Sequence, residues 1–138
     1  MKKQLRQVVG FLAALLATSS AVAQTNRGDT ITDIPFAFTV ANYTLPPGRY
    51  TVTRIGEATL RIFNSHKQGM VLLTAKVHGK ALENGGKIVF HRYGEAYFLS
   101  EAWGADRGTG FKVSPSRAEK ELIRKRSEMQ IAALQISR

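Results

Sequence analysis

The chain has 138 residues, of which 20 are Lys or Arg and 10 are Asp or Glu, for a formal charge of +10. It contains no cysteine, which excludes disulfide staples and thiol chemistry and leaves stability to an apolar core. A basic excess of this size favours anionic partners such as envelope polymers, lipid headgroups or nucleic acid.

Lys2, Lys3 and Arg6 precede an apolar run over residues 8–17, and small residues then lead to Ala21-Val22-Ala23 before Gln24. This three-part layout predicts a secretory signal peptide over 1–23, cleaved near Ala23, with export to the periplasm or beyond. The run falls well short of the roughly 20 residues a spanning helix needs, so the mature chain is expected to carry no transmembrane segment. Without the three basic residues of the signal, the mature charge is about +7.

Residues 24–33 are polar and without period, so they read as a flexible lead-in; the Arg27-Gly28-Asp29 tripeptide within them is too short to mark adhesion. One domain is expected over 34–138. Residues 34–40 alternate, with Ile34, Phe36, Phe38 and Val40 on one face and Pro35 at an edge or first turn. Turn chemistry over 41–48, with Pro46-Pro47-Gly48, leads to β-branched runs at 49–55 and 59–64 that form a hairpin. Residues 70–78 are the most continuously apolar strand, as expected near the middle of a sheet.

After a glycine-ended loop at 79–86, residues 87–103 form an aromatic-rich hairpin turning at Gly94. Alternation puts Ile88, Phe90 and Arg92 on one face, and Val89, His91 and Tyr93 on the other. On the return, Glu95, Tyr97, Leu99, Glu101 and Trp103 oppose Ala96, Phe98, Ser100 and Ala102. A glycine-rich loop at 104–110 precedes a short strand at 111–113.

The period then changes. Either Ser114 caps a helix with Pro115 at its first position, or Ser116 and Glu119 form a capping box. Ala118, Leu122, Met129, Ala133 and Ile136 recur at helical spacing, which predicts an amphipathic helix over about 115–134. The fold class expected is mainly β: an antiparallel meander of six or seven strands forming a small barrel or curled sheet, closed by one C-terminal α-helix that covers an edge.

Chemistry-bearing patterns are sparse. His66, His78 and His91 are scattered on separate segments, so no metal centre and no cofactor are expected. Ser100 sits mid-strand without the sharp turn that exposes a nucleophile. Gly104, Gly108 and Gly110 do not open a helix directly, which removes the geometry of a phosphate cradle. The candidate binding residues are His91, Arg92, Tyr93, Glu95, Tyr97 and Trp103 in the hairpin, because Tyr, Trp and Arg supply much of the energy at recognition surfaces. The competing structural expectation is a ladder in which Arg92 pairs with Glu95 and the aromatics fill the core. Nucleic acid is disfavoured as a partner by export and by the lack of an RNA-recognition signature.

The segments IPFAFTVANYTLPPGRYTV, KIVFHRYGEAYFLSEAW and SPSRAEKELIRK, behind a signal peptide, resemble a group of small secreted proteins from environmental bacteria, notably acidobacteria. The resemblance covers most of the mature chain. It implies export but brings no activity or catalytic residue. The expected function is an exported non-enzymatic envelope protein that binds an anionic polymer or a protein partner through the hairpin face or the terminal helix. One alternative is a carrier with an apolar cavity lined by Phe36, Phe38, Tyr97 and Trp103. Another is a hydrolase-like enzyme using His91, Glu95 and Tyr93.

Overall fold

The structure is a computed structural model and describes residues 29–80, 85–104 and 108–136. The signal segment expected over 1–23 and the first part of the lead-in lie outside the described residues. In chain order the elements are β1 (Asp29–Ile34), β2 (Phe38–Val40), β3 (Tyr43–Leu45), β4 (Gly48–Arg54), β5 (Thr59–Asn64) and β6 (Gly69–His78). They continue with β7 (Lys87–Tyr93), β8 (Ala96–Trp103), β9 (Thr109–Val113), α1 (Arg117–Arg124) and β10 (Gln130–Gln135).

The protein is mainly β, as the alternating runs imply. Hydrogen bonding links the strands in the order β1-β4-β5-β6-β9-β8-β2-β3, with β7 beside β8 and β10 beside β7. The ten-residue β6 is the pivot. Its first half pairs with β5 and its second half with β9, so it belongs to both halves of the sheet. The two halves curl over one core that unites Ile34, Tyr50, Val52, Leu60 and Ile62 with Ile88, Phe90, Leu99, Phe111 and Val113. Removing each large side chain from water contributes about 1.5–3 kcal/mol, which is how a cysteine-free chain holds together.

Of the two forms expected, a small barrel or a curled sheet, the second is found: β1 ends one side of the sheet's path and β3 the other, so it is not a closed barrel. Four expectations are corrected. The sheet is not purely antiparallel but mixed, because β2 meets β8 in parallel at Thr39 and Phe98. The lead-in is ordered from Asp29, where β1 pairs antiparallel with β4 along its whole length. What reads as one strand over 34–40 is broken between Ile34 and Phe38; β2 and β3 then form their own hairpin, turning at Ala41 and Asn42.

The fourth correction concerns the C-terminus. Ser116 is the N-cap, and its hydroxyl accepts from the Glu119 N–H, which is one half of the expected capping box; the Glu119 carboxylate turns to His91 and Tyr93 instead of reaching back to the cap. The helix stops after eight residues, however, and the chain passes through Arg126 in a left-handed conformation (φ 55°) into β10. Tertiary pairing overrides the helical period here. Ala132, Leu134 and Ile136 also alternate, and as a strand they pack on the core while their backbone covers the open edge of β7. The edge expected to lie under a helix is therefore filled by a strand.

Candidate functional site

The hairpin expected to carry recognition is β7–β8, turning at Gly94 and Glu95. Its register holds one irregularity: Val89 pairs with Glu101 and Phe90 with Leu99, so Ser100 is an extra residue in β8, a β-bulge. The bulge resets the alternation. Tyr97 and Leu99 share the core face with Phe90, whereas Glu101 and Trp103 move to the face of Val89 and Lys87. Period-two counting had put Tyr97 and Trp103 together; they lie on opposite faces of the hairpin.

The six candidate residues divide accordingly. On the core face, Arg92 lies over the Tyr97 ring at 5.4 Å, and Tyr97 stacks on Phe36 at 3.7 Å. Phe36 in turn meets Phe90 edge to face. Glu95 is exposed in the turn and pairs with Arg92 at 3.6 Å, as the ladder expectation has it. Phe38 is buried against Tyr50 and Phe90, so it lines no cavity jointly with Trp103.

On the outer face, α1 covers one end. Glu119 points into the sheet with only 3 % exposure, and its Oε1 lies 2.7 Å from His91 Nδ1. His91 Nε2 is 3.0 Å from Ser100 Oγ, and the Tyr93 hydroxyl donates to the same Glu119 oxygen at 3.3 Å. Burial beneath the helix, together with the negative charge of Glu119, raises the Tyr93 pKa above its ordinary value. Tyr93 and Phe98 pack edge to face within this second, smaller buried layer.

Ser100, His91 and Glu119 thus stand in the order of a nucleophile, a base and an orienting acid. Reaching a substrate is another matter, since Ser100 is 3 % exposed. The cluster's chemical competence is therefore to bury and satisfy a carboxylate, fastening α1 to the sheet. Glu95, which the enzymatic alternative pairs with His91, is instead exposed in the turn and paired with Arg92.

The other end of the outer face holds Trp103. Lys87, Trp103 and Gly110 form one row across β7, β8 and β9. The next row is Val89, Glu101 and Lys112. Trp103 Nε1 donates to Glu101 Oε2 at 2.7 Å, and Lys87 Nζ lies 5.5 Å from the indole centroid.

Sequence reasoning did not join Ser100 or Glu119 to His91, nor Lys87 and Glu101 to Trp103. A bulge leaves no periodic trace, and Glu119 arrives from 28 residues away. The available signal was the polar pair Ser100-Glu101 interrupting an otherwise apolar strand. Among the described residues no cluster of three or more His, Asp or Glu could hold a metal ion, and no helix is long and apolar enough to cross a membrane. Comparison with protein-family models, curated proteins and solved structures found no match.

Proposed function

We propose that this chain is an exported, non-enzymatic envelope protein that binds an anionic polymer through the outward side of α1 and the turn after it. The observation that carries the reading is the fate of Glu119. The sequence places three glutamates among the cations of this segment, which dilutes its charge. With Glu119 turned inward onto His91, residues 117–128 expose Arg117, Lys120, Arg124, Lys125 and Arg126 against Glu121 and Glu128. Glu121 pairs with Arg124 at 3.0 Å, and among the described residues the other cations of the segment have no carboxylate partner. Cations in the last turn also suit the helix dipole, but that accounts only for Arg124 and its neighbours.

The test is salt-dependent retention of the mature protein on immobilised polyphosphate. Binding should weaken steeply as salt rises, because exposed charges are screened over about 8 Å at physiological ionic strength. The double variant Lys120→Glu, Arg124→Glu should lose most of it. Retention that ignores both salt and charge reversal rejects the reading.

A protein partner is the second reading, favoured by the outer face of the other half-sheet. Ile31, Val71 and Leu73 are all more than half exposed there, Leu73 by 80 %. Single exposed apolar residues are ordinary, whereas several on one sheet face resemble an interface. Leu73→Asp should abolish such an association and leave polyphosphate retention unchanged.

A further inference from the structure

Trp103 is the chain's only tryptophan, and it takes no part in the main core. Its ring leans across β9 onto bare backbone. A Cβ placed at Gly110 would fall 2.5 Å from Trp103 Cδ2, and one at Gly79 would fall 3.0 Å from Cη2. Two glycines therefore give the indole a flat seat that any other residue would lift. The bond from Nε1 to Glu101 fixes the ring's rotation within that seat. Trp103, Lys87 and Glu101 are half-buried, and Lys112 is exposed.

This arrangement is an aromatic plate, backed by main chain, with the Lys87 ammonium and the Glu101 carboxylate against it and Lys112 in the adjoining row of the sheet. A buried structural tryptophan would have both faces packed by apolar side chains; here a lysine ammonium lies over the ring, where an anionic sugar could draw it aside. The negative face of an indole attracts the weakly positive C–H face of a pyranose ring. Glu101 can accept from sugar hydroxyls, and Lys87 and Lys112 can pair with a carboxylate on the sugar. We propose that Trp103, with Lys87, Glu101 and Lys112, forms a subsite for one uronic acid unit of an acidic polysaccharide. This rests on the anionic-polymer reading and names the polymer's class. The subsite lies on the same side of the β7–β8–β9 sheet as α1, so one chain can meet both the plate and the helix cations.

The experiment uses the mature chain and two probes, oligogalacturonate and inorganic polyphosphate, with Trp103 as the sole indole reporter. Oligogalacturonate should shift the emission saturably to the blue, whereas polyphosphate should bind and leave the emission in place. Trp103→Ala should weaken oligogalacturonate binding about tenfold or more and spare polyphosphate binding. Trp103→Phe, which keeps a plate, and Lys112→Ser, which changes only an exposed residue, guard against misfolding. Phe should restore part of the affinity, and Ser should lower it about threefold. An emission that ignores oligogalacturonate, or an affinity that Trp103→Ala alters by less than about twofold, overturns the subsite. If polyphosphate still binds in that case, the helix reading survives alone. If oligogalacturonate moves the emission while polyphosphate does not bind, the subsite stands and the helix reading falls.

Discussion

His91 and Glu119 meet at 2.7 Å across 28 residues of chain, the imidazole on β7 and the carboxylate on the first turn of α1. An eight-residue helix is too short to hold itself in water, so what docks it decides whether it exists. Here the dock is polar: a buried carboxylate with His91 and Tyr93 on one oxygen, and Ser100 on the far side of the imidazole.

Removing His91 should therefore cost more than removing most surface residues. His91→Ala leaves the Glu119 charge buried without its partner, and a loss of about 3–5 kcal/mol is expected in urea unfolding. Glu119→Gln keeps a hydrogen-bonding group of the same size and should cost about 1–3 kcal/mol. The double variant should lose clearly less than the two single losses added together, since the stranded charge is gone. Strict additivity would show that the two residues act separately.

Two hairpin turns allow a matched test of backbone strain. Gly94, the first central residue of the β7–β8 turn, has φ 61°, and Ala41, in the same position of the β2–β3 turn, has φ 52°. Positive φ at this position suits glycine and disfavours a residue with a Cβ. Ala41→Gly should stabilise by about 0.5–1 kcal/mol, and Gly94→Ala should destabilise by about 1 kcal/mol. Space is not the constraint at Gly94, since none of the described residues lies within 4 Å of an added Cβ. Both shifts are readable in thermal melts, and the same sign at both sites would refute the explanation.

These turns also mark how far the residues speak for themselves. The limits of β5 and β7 were legible, because their alternation is bounded by turn residues and half their side chains must face a core. The Arg92–Glu95 pair was legible too, and the helix cap was narrowed to Ser114 or Ser116, since both features are local. What stayed hidden depends on distant partners. Residues 130–135 satisfy a helical and a strand pattern equally, and only the open edge of β7 decides between them. The Ser100 bulge separates Tyr97 from Trp103, so a recognition surface drawn by alternation mixes two faces of the sheet.

Alkaline pH should act on two tyrosines. Tyr50 is fully buried, with its hydroxyl donating to the Pro46 carbonyl at 2.6 Å, and burial raises its pKa; Tyr93 is raised by burial and by Glu119. In both, the folded protein holds the proton more tightly than the unfolded chain. The stabilisation is then complete below pH of about 10, the unfolded value, and is lost as pH rises through the higher folded values. Tyr50→Phe should cost about 1 kcal/mol at neutral pH by leaving the Pro46 carbonyl without its donor. Both Tyr50→Phe and Tyr93→Phe should flatten the fall in stability above that point, as followed by circular dichroism. An unchanged alkaline limb in both variants would contradict the assignment.

The strand at the C-terminus carries the most direct structural prediction. A chain ending at Met129 keeps α1 and its clasp but loses β10, baring the β7 edge and withdrawing Ala132, Leu134 and Ile136 from the core. The lost burial should cost about 2–4 kcal/mol. The bared edge should also make the truncated protein associate as concentration rises, because unpaired N–H and C=O groups on a strand recruit another strand. A chain ending at Ile136 retains the bond from the Ile136 N–H to the Gly86 carbonyl and should behave as the full protein does. The two truncations differ by seven residues, and only one of them removes an edge strand. If both remain monomeric and equally stable in sedimentation and urea unfolding, then β10 is dispensable. In that case the edge of β7 must be protected by its own residues.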